Sequence, residues 1–132
     1  MEISDGSSII LDSSVWIAYL HEEDSQHKKA LGLVGALPDT IIVPAEVLSE
    51  VAMALKNKRQ ENLAKGFVHT VISGDVSLLV SDENVVRQAA ETFLTRTDRL
   101  SFIDTTLLVL SEKYRVITFD RNLQKAINSA QR

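Results

Sequence analysis

Along this chain, short apolar runs alternate with longer stretches in which apolar residues recur every three or four positions. The runs "SIIL" (8–11), "TIIV" (40–43), "VSLLV" (76–80) and "RVITF" (115–119) are too short for helices. They predict strands. Between them, "SSVWIAYLH", "DSQHKKALGLVGAL", "PAEVLSEVAMALKNK", "QENLAKGFVHTVIS", "SDENVVRQAAETFLTR" and "SFIDTTLLVLSEKY" carry helical periodicity, and "DRNLQKAINSAQR" predicts a last helix. Pro44 is suited to the first position of its helix. Strands separated by helices imply a parallel sheet covered on both faces: a three-layer α/β/α fold with four or five strands. The segments "SGD" (73–75) and "TRTDRLS" (95–101) predict ordinary loops, and no repeat or linker interrupts the pattern.

Length and composition narrow the class. At 132 residues, 45% hydrophobic and 24% charged, the chain suits one core, so a single domain over 1–132 is expected. The absence of cysteine removes disulfide frameworks and cysteine-rich zinc sites. The stretch "MEISDGSS" has neither the charge nor the apolar run of a signal peptide, and no segment approaches the roughly 20 apolar residues of a membrane span. A cytoplasmic protein without membrane contact is expected. A formal charge of -4 argues against gripping nucleic acid through a broad basic surface. It leaves room for clustered acids that bind metal.

The alternation of elements turns scattered acids into a constellation, because ligands of an open parallel sheet bind beyond the carboxyl ends of its strands. Asp12 follows the first strand directly and Asp120 follows "RVITF". Glu50 lies within two turns of the start of the helix after "TIIV". Asp104 sits in the first turn of a helix that leads back into the last strand, so it starts at the same edge.

Each acid also has a plainer explanation. Asp12 and Asp120 are suited to cap helices, and Ser101 with Asp104 resembles a capping box with Asp in place of Glu. Glu50 competes with Glu46, one turn earlier. At 100° per residue the apolar stripe of Val47, Leu48, Val51, Ala52 and Leu55 is centred roughly 130° from Glu50 and roughly 170° from Glu46, which favours Glu50. Four converging carboxylates without basic partners repel one another unless cations sit among them. Mg²⁺ or Mn²⁺ would relieve that repulsion through hard oxygen ligands, and such ions suit phosphodiester hydrolysis.

The blocks "IILDSSVWIAYL", "IIVPAEVLSEVAMAL", "LSFIDTTLLVLSEKY" and "VITFDRNLQKA" resemble, in this order and spacing, the four motifs of PIN-domain nucleases, over almost the whole chain. The resemblance implies a PIN-like fold with Asp12, Glu50, Asp104 and Asp120 as the acidic metal site. Thr118 matches the family's hydroxyl residue two before the last acid; on a strand, it and Asp120 would share a side. Two departures stand out: Ser14 where the family often has Asn, and Asn122 where a further Asp is frequent. The second puts a second metal ion in doubt. A domain of this length with little beyond the core resembles the ribonuclease toxins of toxin-antitoxin pairs. That implies a metal-dependent endoribonuclease acting on RNA, usually a homodimer, silenced by an antitoxin.

Lys56, Lys58, Arg59, Arg96, Arg99 and Arg121 are available to contact RNA phosphates. His21, His27 and His69 show no ligand spacing, and Trp16 and Tyr19 suit a core or dimer contact better than a base-stacking platform. Surplus apolar surface on "VWIAYL" and "EVLSEVAMAL" points to a homodimer. A receiver-like signalling domain is the main alternative. It requires paired acids after the first strand and a Lys after the last, and "LDSS" and "ITFDRN" supply neither. A PIN-like module that binds RNA or protein without cutting would be expected to lack one of the four acids.

Overall fold

A computed structural model describes residues 8–37 and 40–131. The stretch 1–7, and with it most of "MEISDGSS", lies outside the described residues. In chain order the elements are β1 (Ile9–Leu11), α1 (Ser13–Leu20), α2 (His27–Gly35), β2 (Ile41–Pro44), α3 (Ala45–Asn57), α4 (Glu61–Ile72), β3 (Ser77–Leu79), α5 (Glu83–Thr95), α6 (Phe102–Leu110), β4 (Arg115–Ile117) and α7 (Arg121–Ala130).

The four strands form one sheet in the order β3-β2-β1-β4, every pair parallel. Ile10 stands opposite Ile42 on one side and Val116 on the other, and Val43 stands opposite Leu78. The chain steps one way from β1 through β2 to β3 and then crosses back to β4. With right-handed crossovers, that reversal puts the helices before β3 on one face and those between β3 and β4 on the other. The helix contacts agree: α1 packs on α2 and α3, and α3 on α4, while α6 packs on α5 and α7. The result is the expected three-layer parallel α/β/α fold.

Ile9, Ile10 and Leu11 are fully buried, as a central strand covered on both faces requires. Each contributes about 1.5–3 kcal/mol of burial. Val47, Val51 and Leu55 are buried at intervals of four along α3, and Leu123, Ala126 and Ile127 along α7. Trp16 lies in the core, its ring 4.9 Å from Phe67 and 6.2 Å from Tyr19. The apolar side of α1 is thus consumed inside the molecule, leaving less of it for a second subunit than the sequence suggests.

Three expectations need correction. The run "VSLLV" is not buried on both sides: β3 is an edge strand, with Leu78 48% and Val80 70% exposed. Pro44 closes β2 and caps α3 with an extended ψ of 144°, one position before the helix begins. The strand read in "RVITF" ends at Ile117, because the Ile117 carbonyl accepts the Asp12 N–H at 2.9 Å and beyond it side-chain hydroxyls replace the ladder.

Candidate active site

Asp12 stands where β1 gives way to α1 and, as the capping preference requires, its Oδ1 accepts the Ser13 N–H at 2.7 Å. A cap explains only half of this carboxyl group. Its Oδ2 accepts the Thr118 hydroxyl at 2.7 Å and the Ser14 hydroxyl at 3.0 Å, and the residue is 4% exposed. Both hydroxyls also reach into the β4–α7 turn. Thr118 Oγ1 accepts the Asp120 N–H at 2.9 Å, and Ser14 Oγ accepts the Phe119 N–H at 3.1 Å. Two strand ends that are neighbours in the sheet are therefore joined through Asp12. The charge-assisted bonds onto Oδ2 fix the plane of its carboxylate.

Asp120 is exposed and caps α7, its Oδ1 accepting from Asn122 N at 2.8 Å and Leu123 N at 3.1 Å. Asp104 belongs to a complete capping box: its Oδ2 accepts the Ser101 N–H at 3.0 Å, and Ser101 Oγ accepts the Asp104 N–H at 3.1 Å. Those caps leave Asp120 Oδ2 and Asp104 Oδ1 free of hydrogen bonds within the described residues. Glu50 is half-buried on α3. Glu46, placed farther from the core by helical geometry, is half-buried too, and its Oε1 is enclosed without a hydrogen-bond partner.

The electrostatics tie the four acids together. Burial raises the Glu50 pKa above its ordinary value, the Ser13 hydroxyl opposes this, and the negative charges of Asp12 and Asp104 add to the rise. Burial likewise raises Asp104, opposed by its bonds to Ser101 and reinforced by Asp12 and Asp120. Glu46 does not figure in either shift. Asp12 and Asp104 thus act on Glu50, and Asp12 and Asp120 on Asp104. Among the described residues none of the four forms a salt bridge, and no three acidic or histidine side chains stand close enough together to hold a metal ion as they are placed.

The cation set divides. Arg96 is committed to Asp98, with Nη2 2.6 Å from Oδ2. Lys29, passed over in the sequence, lies 4.6 Å above the ring of Phe119, the residue between Thr118 and Asp120. No spacing rule could have found it, because the contact crosses from α2 to the β4–α7 turn. An apolar groove of about 600 Å³ between α3 and α4, lined by Ala52, Met53, Ala64, Val68 and Ile72 among others, holds none of the four acids. Concavity alone therefore does not mark this site. His27 is occupied locally, its Nδ1 2.7 Å from the Ala18 carbonyl.

The family model of the PIN domain matches the chain over residues 9–128. The chain belongs to the PIN domain family. Its backbone superposes on the crystal structure of Mycobacterium tuberculosis VapC20, a Sarcin-Ricin loop cleaving toxin, with a TM-score of 0.82. Identity is 22%, and the match covers 89% of this chain and 94% of that one, so the likeness extends over the PIN fold as a whole. No curated protein matches the chain significantly. Membership in the PIN family sets the receiver-like alternative aside.

Proposed function

We propose that this PIN domain is a metal-dependent endoribonuclease that hydrolyses RNA phosphodiester bonds, and that it is the toxin of a toxin-antitoxin pair. The observation that carries the chemistry is the buried Asp12 carboxylate, oriented by Ser13, Ser14 and Thr118 and surrounded by acids with no cationic partner among the described residues. Hydrogen bonds this specific fix a ligand oxygen in one direction, as an ion of strict coordination geometry demands. The donor set fits Mg²⁺ or Mn²⁺: carboxylate oxygens only, on four different elements, destabilised in the absence of positive charge.

In this reading Asp12, Glu50, Asp104 and Asp120 hold the ion or ions. Bound there, a divalent ion supplies a water acidified toward neutral pH and stabilises charge at the scissile phosphate. Thr118 and Ser14 position Asp12, and Thr118 also ties down the backbone of Asp120. Asp104 and Asp120 keep one oxygen on their helix caps and offer the other. Asn122 supplies no negative charge where a charged group would favour a second ion, so only one ion is held firmly in the absence of substrate.

The toxin assignment draws on the structural relative, itself a toxin that cleaves the Sarcin-Ricin loop. An antitoxin partner and a symmetric homodimer belong to the same proposal. Exposed Met53, Ile72, Leu78, Val80 and Leu94 supply apolar surface for protein contacts. No helix among the described residues is long and apolar enough to cross a membrane, which accords with the cytoplasmic setting proposed for it.

The test uses the purified full chain. Millimolar Mn²⁺ or Mg²⁺ is expected to raise its melting temperature by mass action on the folded state and to switch on internal cleavage of RNA, both reversed by EDTA. A protein whose melting temperature ignores both ions and which leaves RNA intact would be a PIN module that binds without cutting.

A further inference from the structure

Beside α7, next to the acids, the structure holds a second concavity, of about 240 Å³, lined by Arg96, Asp98, Asn122, Lys125, Ala126 and Ser129. Asn122, Lys125, Ala126 and Ser129 fall at intervals of three and four, so one face of α7 forms its wall. Buried Ala126 is a small residue between longer polar ones and leaves room there. The opposite wall is Arg96, the C-cap of α5, together with Asp98 in the loop that follows.

The chemistry of this pocket is the inverse of its neighbour's. Nearly every polar side chain lining it donates: the Arg96 guanidinium, the Lys125 ammonium, the Asn122 amide and the Ser129 hydroxyl. Its only anion, Asp98, is met by Arg96 through Nη2 at 2.6 Å and Nε at 3.0 Å. That bond uses two of the guanidinium's five N–H groups and sets its plane, leaving three for another acceptor. Lys125 is exposed and forms no salt bridge among the described residues. Counting Arg96 and Lys125 against Asp98, the pocket is positive by one charge on a chain of net charge -4. Asn122 connects the two sites: it lines this pocket, and its backbone N–H donates to Asp120 Oδ1 at 2.8 Å.

We propose that this pocket is a phosphate subsite, in which Lys125, Arg96 and Asn122 hold a phosphodiester of the RNA strand adjacent to the bond that lies at the four acids. The assignment rests on the nuclease reading above. It answers a problem that reading raises: the cleft is acidic, and a polyanion entering it needs a grip beside the metal site. Arg96 was already a candidate phosphate contact from its position in the sequence; Lys125, mid-helix within the last motif block, becomes one only through the fold.

The experiment measures binding of a fluorescent single-stranded RNA to the full chain carrying Asp12→Asn, in Mg²⁺, over a series of KCl concentrations. Adding Lys125→Gln is expected to weaken binding several-fold and to lower the salt slope by about 0.7, the value for one lost contact to single-stranded phosphate. Lys113→Gln, which removes an equal charge before β4 at the opposite edge of the sheet, is expected to leave both unchanged. Asp98→Asn frees Arg96 and is expected to tighten binding. If Lys125→Gln behaves like Lys113→Gln while RNA still binds, the subsite is refuted and the nuclease reading stands. If neither this parent nor the unsubstituted chain in Ca²⁺ binds RNA, both fall. Displacement of the RNA by inorganic phosphate at equal phosphate concentration would assign the pocket to the free anion and overturn its assignment to the strand.

Discussion

The two halves of the acidic site are built on different principles. On the side of β1 and β4, Asp12, Ser14, Thr118 and the backbone of residues 119 and 120 form a closed set of hydrogen bonds between adjacent strand ends, with Asp12 almost inaccessible. On the side of α3 and α6, Glu50 and Asp104 are half-buried carboxyls whose affinity for protons is raised by burial and by neighbouring charge. The first half is organised before any ion arrives. The second is under repulsion until positive charge, a proton or a metal ion, relieves it. On the proposed metal-site reading, the first half would be the fixed anchor and the second would gather as the ion enters.

The largest effect expected separates these halves by stability while treating them alike in activity. Asp12→Asn and Asp104→Asn should each reduce RNA cleavage by at least about 10²-fold, the scale on which single catalytic groups act. In the metal-free protein their melting temperatures should diverge. Asn at 104 keeps an oxygen for the capping box and removes a repelling charge, so Asp104→Asn should be as stable as the parent or more so. Asn at 12 also removes a charge, but one of its two oxygens becomes a donor facing groups that already donate to it, and the stability gain should be absent. A stabilised Asp12→Asn protein would mean that the hydrogen-bonded half is under the same strain as the other. Near-normal cleavage by either variant would refute the metal site.

A smaller effect is expected at Thr118. Thr118→Val keeps the shape and β-branching while deleting the hydroxyl that donates to Asp12 Oδ2 and accepts from the Asp120 N–H. With Thr118 8% exposed, that leaves buried Asp12 Oδ2 with the Ser14 hydroxyl alone and removes the partner of the part-buried Asp120 N–H. The expected cost is about 1–3 kcal/mol in chemical denaturation, with weaker Mn²⁺ binding. A loss well below that range would show that Thr118 serves only as a strand residue.

How much of this was legible in the sequence follows the same division. The places of Asp12, Asp104 and Asp120 at helix starts are legible in the sequence, because a parallel sheet delivers every strand's carboxyl end to one edge; their joint role as a metal site is a proposal. The apolar pattern of "SIIL" and "RVITF" placed β1 and β4 but not their adjacency, and Ser14 acquires its bond to Phe119 only because they are neighbours. The period-two argument placed Thr118 beside Asp120 on one side of a strand. In the fold Thr118 lies past the strand's end and reaches Asp120 through its backbone instead. The run "VSLLV" misled because an edge strand can carry the same apolar residues as a central one. Periodicity reports local shape and burial, whereas sheet order is decided by contacts between distant segments.

The subtlest effect expected is on the pH dependence of the metal-free protein. The folded-state pKa of Glu50 is raised from its ordinary 4.5 and that of Asp104 from 3.8. Between the ordinary and the raised values the native state holds more protons than the unfolded chain, so stability falls as pH rises through that window. Above it both groups are ionised in both states and the loss is complete; below it the penalty is absent. Glu50→Gln cannot ionise, so the difference in stability between it and the parent should be smallest near pH 4 and grow in favour of the variant toward neutrality. Saturating Mn²⁺ should reverse the order, because the parent then binds an ion that the variant has lost a ligand for. Glu46→Gln serves as the comparison from the same helix, one turn away. Its stabilisation by Mn²⁺ should match the parent's, and cleavage should persist. If Glu46→Gln instead loses the response to Mn²⁺ and Glu50→Gln keeps it, the acid that belongs to the site is the one whose Oε1 is enclosed without a partner, and the side of α3 that faces the metal has been misassigned.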